Sequence, residues 1–136
     1  MNGGMELYLH MPFCVRKCAY CDFLSFPTDQ ETQNLYTRRL REDIDAMGKK
    51  YGDIPVDTIF IGGGTPSVPD SALIVGIMEH VRKAFHVAEG AEISMEANPG
   101  TVTREKLTDY RRAGINRLSF GLQSANDREL KLLGRI

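Results

Sequence analysis

Glu6-Leu7-Tyr8-Leu9-His10-Met11-Pro12-Phe13-Cys14-Val15-Arg16-Lys17-Cys18-Ala19-Tyr20-Cys21 joins a strand-like run, Glu6 to Met11, to a short loop that holds every cysteine of the 136-residue chain. Thiolate sulfur is the preferred ligand of iron–sulfur clusters and of zinc, so Cys14, Cys18 and Cys21 at C-x3-C-x2-C spacing read as a metal site. Such sites ordinarily recruit four protein ligands, and here one is missing. In a cubane held by three cysteines one iron keeps an open position, which invites a ligand from outside the protein. Zinc completed by His10 from the preceding strand is the other reading of the same residues. A metal loop directly after a strand also bears on the fold, because parallel α/β sheets gather their ligands beyond the carboxyl ends of the strands.

Working outward from that loop, strand-like and helix-like segments alternate four times. Strands are expected at Glu6 to Met11, Asp57 to Ile61, Ala91 to Ala97 and Asn116 to Leu122, each short, rich in branched or aromatic residues and followed by a polar or Gly/Pro loop. The spacing of Tyr36, Leu40, Ile44 and Met47 predicts one apolar face on a helix over Gln30 to Tyr51. Leu73, Ile74, Ile77, Val81 and Phe85 do the same over Ser71 to Phe85. Thr103 can cap a third helix that Gly114 ends, with Val102 and Leu107 spaced as a hydrophobic staple, and Ser124-x-x-Asp127 has the form of a capping box for a fourth. Strands alternating with helices imply a parallel sheet with right-handed crossovers, either an open doubly wound sheet or a barrel. Four βα units are fewer than a barrel of on the order of 200 residues or more requires. Residues 1–136 are therefore read as one incomplete core domain, with unpaired edges that would make the isolated piece poorly soluble.

Composition narrows the function. With 42% hydrophobic and 26% charged residues the chain has the makings of an ordinary globular core. A net charge of −1 with scattered basic residues lacks the footprint of a nucleic-acid binder. No apolar run approaches a membrane span and residues 1–9 do not resemble a signal sequence, so a cytoplasmic protein is expected. Free, clustered thiols fit the same reducing compartment, and three cysteines cannot pair off internally. His80 and His86 read as surface residues without a partner motif.

The remaining polar motifs fall at strand ends. Gly62-Gly63-Gly64-Thr65-Pro66-Ser67 follows the second strand and lets backbone approach a ligand closely; it matches neither phosphate-binding glycine fingerprint, and an ordinary tight turn is the plain alternative. Glu96, before Ala97-Asn98-Pro99-Gly100, brings a carboxylate able to accept from a ribose or an ammonium group. Gln123 ends the fourth strand, and Arg135 follows twelve residues later.

Together with Tyr20 just before the last cysteine, the cysteine spacing resembles the signature of the radical S-adenosylmethionine (SAM) enzymes. That resemblance implies the N-terminal portion of a partial TIM-like (βα) barrel. It implies a [4Fe-4S] cluster on Cys14, Cys18 and Cys21, with SAM chelating the open iron and cleaved reductively by the cluster, so that the cofactor carries the hard chemistry. Five ordered motifs narrow it further: Tyr8 to Cys14, Cys21-Asp22-Phe23, Gly62 to Ser67, Ser94 to Gly100, and Arg117 to Ser124 are similar to the oxygen-independent coproporphyrinogen III oxidase family, most of all to its HemW-type haem chaperones. By that resemblance Tyr8, Tyr20, Gly63, Gly64, Thr65, Glu96, Gln123 and Arg135 contact SAM, and no residue is assigned a catalytic role. The expected partners are SAM, haem or porphyrin, and haem-accepting proteins. The oxidase carries another cysteine two residues after the third and a longer N-terminal arm, whereas this chain has Phe23 and only seven residues before Tyr8. Haem delivery is therefore expected, with coproporphyrinogen oxidation as the alternative and a zinc-stabilised interaction module as the reading from another class.

Overall fold

A computed structural model describes residues 4–13 and 29–120 of the chain. Among these residues four parallel strands form one sheet: β1 (Met5–Met11), β2 (Val56–Gly63), β3 (Val87–Ala97) and β4 (Arg117–Phe120), joined by helices α1 (Gln30–Tyr51), α2 (Ser71–Ala84) and α3 (Arg104–Ala113). The sheet order is β1-β2-β3-β4. A doubly wound sheet reverses its order at a switch point, whereas this one advances strand by strand in a single direction, as a barrel wall does. Right-handed crossovers in such an order put every connecting helix on one face of the sheet. The packing agrees, with α1 against α2 and α2 against α3.

Alternation along the strands separates the two faces. Leu9, Met11, Ile59, Ile61, Ile93, Met95 and Ala97 point to the helices and are buried. They meet Ile44 from α1 and Ile74, Ile77, Met78 and Val81 from α2, so the core lies between sheet and helix layer. The opposite face carries Tyr8, Phe60, Ser94 and Arg117 in one register row, and His10, Gly62, Glu96 and Ser119 in the row nearer the carboxyl ends. It is the inner wall of the barrel segment.

Caps account for the helix boundaries. Asp29 Oδ1 accepts the Thr32 N–H at 2.8 Å and starts α1. Thr103 Oγ1 accepts the Lys106 N–H at 3.1 Å and starts α3. At the other end of α3, Gly114 adopts φ +104°, the left-handed conformation that a glycine takes without strain. Val102 packs against the core, but Leu107 stays 37% exposed. Asn116 sets the register of β4 on β3: its Oδ1 accepts the Ile93 N–H at 2.9 Å, and its Nδ2 donates to the Ala91 carbonyl at 2.9 Å.

Departures from the sequence pattern are local. Helix α2 ends at Ala84, and Phe85 follows as an extended cap that is still buried. Met47, expected on the apolar face of α1, is 49% exposed, while Gln33 and Thr37 are buried instead. Among the described residues β1 lies at the edge of the sheet, and Met47 borders an open groove of about 420 Å³ shared with Met5, Leu7 and Leu9 of that strand, which leaves it half exposed. The expected fourth helix, with Ser124 and Asp127, lies outside the described residues. His86 is exposed, and His80 Nδ1 lies 3.2 Å from Asp45 Oδ1 on the helix layer, so both are surface groups.

Candidate functional site

The carboxyl ends of β1, β2 and β3 converge on the glycine loop. Parallel pairing of β1 with β2 continues beyond the strands: the Gly64 N–H donates to the Met11 carbonyl at 2.9 Å and the Thr65 N–H to the Phe13 carbonyl at 2.5 Å. The residue before Cys14 is thus pinned to the glycine loop by backbone alone. A Cβ at Gly64 would stand 2.5 Å from the Phe13 oxygen, so the two segments approach as closely as they do only because that side chain is a hydrogen. Gly63 takes φ +116°, and a Cβ there would meet the His10 ring at 2.8 Å.

Glu96 faces this loop from the next strand. Its Oε1 accepts the Gly63 N–H at 3.0 Å, and a Cβ on Gly62 would lie 2.7 Å from the same oxygen. A carboxylate and a side-chain-free backbone segment thereby share one patch of the inner rim. Tyr8 stands beside it, 57% exposed, its ring stacked on Phe60 with centroids 5.9 Å apart and planes 13° apart. Loss of solvent, and secondarily the negative charge of Glu96, raise the Tyr8 hydroxyl above the ordinary tyrosine value, so it is a neutral hydrogen-bonding group at physiological pH. That hydroxyl lies 3.2 Å from His10 Nδ1, and Tyr36 from α1 donates to the His10 carbonyl. The sequence put His10 forward only as a fourth zinc ligand, and Tyr36 only as part of the apolar face of α1.

Of the residues expected to hold cofactor, the structure brings together Tyr8, Gly63, Gly64, Thr65 and Glu96. Cys14, Cys18, Cys21, Tyr20, Gln123 and Arg135 lie outside the described residues. One row further down the inner wall, a concavity of about 480 Å³ is lined by Glu6, Tyr8, Thr58, Phe60, Glu92, Ser94 and Arg117. Arg117 Nη1 sits 3.4 Å from Glu92 Oε1 there, an exposed pair of small energetic weight. Among the described residues no group of His, Cys, Asp and Glu is arranged to hold a metal ion, and no helix is long and apolar enough to cross a membrane.

The rim chemistry fits a ligand bearing an ammonium and hydroxyl groups. Glu96 supplies an acceptor whose second oxygen receives no hydrogen bond among the described residues. The glycines supply approachable backbone, and Tyr8 a neutral hydroxyl beside a flat face.

The sequence and the fold have known relatives. The family model of the radical SAM superfamily matches residues 8–136. The chain is 45% identical over 138 residues to the haem chaperone HemW of Escherichia coli strain K12, covering 97% of this chain and 35% of that protein. To the mitochondrial radical S-adenosyl methionine domain-containing protein 1 of Bos taurus it is 36% identical over 129 residues, 95% of this chain and 29% of that one. A solved structure of the radical SAM enzyme coproporphyrinogen III oxidase (HemN) from Escherichia coli superposes with a TM-score of 0.92 at 31% identity, over 98% of this chain and 31% of that chain. The chain spans about a third of the length of the curated relatives it matches.

Proposed function

The chain belongs to the radical SAM superfamily, and from that premise we propose that it supplies the N-terminal part of the core of a SAM-binding haem chaperone. Cys14, Cys18 and Cys21 would hold a [4Fe-4S] cluster, and SAM would lie on the inner rim against Tyr8, Gly63, Gly64, Thr65 and Glu96, with Tyr20, Gln123 and Arg135 completing its contacts. When bound, the cluster supplies an open iron for the amino and carboxylate groups of SAM and the electron that reductive cleavage requires. This chain's own residues do the holding. Glu96 fixes the Gly63 N–H and offers its other oxygen to a ligand, while the glycines let backbone reach the ligand without side-chain interference.

The single observation that carries the SAM reading is the Glu96–Gly63 bond, which seats a carboxylate at a glycine loop that is itself tied to the residue before Cys14. For haem delivery the support is the 45% identity to a haem chaperone, together with Phe23 where the oxidase family carries a further cysteine. Oxidation of coproporphyrinogen is the second reading, supported by the superposition on HemN. A zinc-stabilised module rested on cysteine spacing alone and has no support from the family match. The thiol cluster and the family's SAM chemistry favour a reducing compartment such as the cytoplasm.

The test uses the full-length parent, reconstituted anaerobically with iron and sulfide. About four irons per chain are expected from cubane ligation by three cysteines. Stoichiometric haem binding with transfer to an apo-haem protein supports the chaperone. Loss of carbon dioxide from coproporphyrinogen III assigns it to the oxidase instead, and stoichiometric zinc without sulfide refutes the SAM reading.

A further inference from the structure

On the side of the glycine loop away from β1, a polar knot joins the loop after β2 to the loop after β3. The Ser67 side chain is fully buried. It accepts the Asn98 backbone N–H at 3.1 Å and lies 2.5 Å from Thr101 Oγ1. Thr101 gives its one hydroxyl proton to the Asn98 carbonyl at 2.9 Å, so Ser67 must be the donor between the two hydroxyls. Asn98 Oδ1 in turn accepts the Gly100 N–H at 2.8 Å. Lys106 closes the knot from α3: its Nζ donates to the Ser67 carbonyl at 2.6 Å and to the Thr101 carbonyl at 3.0 Å.

That lysine stands in an unfavourable place for a cation. It occupies the first turn of α3, where the aligned peptide dipoles present positive charge. Its half-buried ammonium is instead matched to two carbonyls contributed by two different loops, and charged donors make the stronger hydrogen bonds.

The geometry of the loop carries any displacement forward. Gly64 is bonded to Met11 at the end of β1, Thr65 to Phe13 just beyond it, Gly63 to Glu96, and Ser67 and its carbonyl to the β3–α3 loop, with buried Pro66 stiffening the span between. A shift at Ser67 therefore has no slack segment in which to dissipate before it reaches Gly63 and Glu96. We infer that Lys106, acting through Ser67, is a positioning residue of the SAM site, holding the glycine loop in register with Glu96 without touching the ligand. The inference rests on the reading above that this loop and Glu96 contact SAM.

The test compares the full-length parent with Lys106→Met, Lys106→Arg and Ser67→Ala, each reconstituted with its cluster. Four quantities are read: iron and sulfide content, SAM affinity by calorimetry, the change in the reduced cluster's paramagnetic resonance signal on adding SAM, and the thermal midpoint. Lys106→Met is expected to keep its iron and sulfide yet bind SAM roughly tenfold more weakly, the loss a charged hydrogen bond commands, with an altered signal change. Lys106→Arg, which keeps a cationic donor, should recover most of the affinity. A lowered midpoint with wild-type affinity and signal would make Lys106 a structural residue only and overturn the inference. Should Lys106→Met fail to fold, Ser67→Ala decides: weakened SAM binding supports the positioning role, and wild-type affinity refutes it. A parent protein that takes up its cluster and does not bind SAM defeats the underlying reading as well, an outcome distinct from variants that bind as the parent does.

Discussion

Gly64→Ala tests the closest contact of the rim. The new Cβ would sit 2.5 Å from the Phe13 oxygen and 3.0 Å from its carbon and nitrogen, where ordinary contact begins near 3.4 Å. All three atoms are backbone, so no rotamer change relieves the overlap and the two segments must separate by about 0.9 Å, the difference between 3.4 Å and 2.5 Å. That movement breaks or stretches the Gly64 N–H bond to Met11 and the Thr65 N–H bond to Phe13. Two backbone hydrogen bonds at about 0.5–1.5 kcal/mol each give an expected destabilisation of roughly 1–3 kcal/mol. Gly76→Ala is the internal control. It lies within α2, and a Cβ there meets nothing nearer than an Arg41 guanidinium nitrogen at 3.8 Å. Replacing a helical glycine by alanine should stabilise by about 0.5–1 kcal/mol. Chemical denaturation of the full-length protein reads both changes, and calorimetry with SAM reads the functional consequence, which should appear for Gly64→Ala alone. Equal stability of the two variants, or a Gly64→Ala protein that binds SAM as the parent does, would show that the rim yields without cost and refute the reasoning.

Cys14→Ala, Cys18→Ala and Cys21→Ala should each abolish cluster retention, because two thiolates cannot hold the cubane and residues 1–136 offer no fourth cysteine in exchange; iron and sulfide analysis would disprove the assignment with any single variant that stays fully loaded. Glu96→Ala should weaken SAM binding by about 1.5–3 kcal/mol, the range for a charge-assisted hydrogen bond, and unchanged affinity by calorimetry would remove Glu96 from the site. The Tyr110 hydroxyl is buried and has no hydrogen-bond partner among the described residues, so Tyr110→Phe should raise stability at neutral pH by about 1 kcal/mol. Burial, with Asp109 adding to it, pushes that hydroxyl from 10.0 up to about 12. Folding therefore favours the protonated form, and its contribution is complete below pH 10 and lost as pH rises through about 12. Denaturation midpoints across that window should fall less steeply for Tyr110→Phe than for the parent, and parallel curves would contradict the burial argument.

Much of the architecture was legible because helical spacing of apolar residues, and short branched or aromatic runs closed by polar or Gly/Pro loops, report on burial. The apolar and aromatic run Glu6 to Met11 marked β1, and Thr103 and Gly114 bracketed α3 to the residue. The choice between barrel wall and doubly wound sheet was not legible in the periodicity; only the resemblance carried by the cysteine motif pointed to the barrel. Strand order depends on which edge each crossover joins, and both architectures give their strands and helices the same local pattern. Met47 misled for a related reason: its spacing is helical, but periodicity does not tell how tightly the sheet closes against that end of the helix face. Among rim residues, Glu96 and the glycines announced themselves by type and position. Lys106 gave no such signal, since its partners are backbone carbonyls, one of them 39 residues away, and carbonyls are the same in every sequence.

Glu96 is held in the site by the core on the other side of the sheet. It lies between Met95 and Ala97, which are 0% and 4% exposed against the helix layer. Because side chains alternate, slipping β3 by one residue against β2 would turn Glu96 into the helix layer and Met95 onto the inner wall. Exposing the methionine alone costs about 1.5–3 kcal/mol, and burying an unpaired carboxylate costs several more. Asn116 ties β4 to β3 through Ile93 and Ala91, so a slip of β3 would also have to carry β4 with it or break those two bonds. The apolar pattern of β3 thus fixes where the carboxylate meets Gly63, and Glu96 needs no network of its own to stay there. Ile93→Thr, which loosens that pattern on the helix side, should therefore lower stability and SAM affinity together, whereas Glu96→Ala should lower affinity alone. A stability loss in Ile93→Thr with SAM binding intact in the folded fraction would separate core from site and defeat this account.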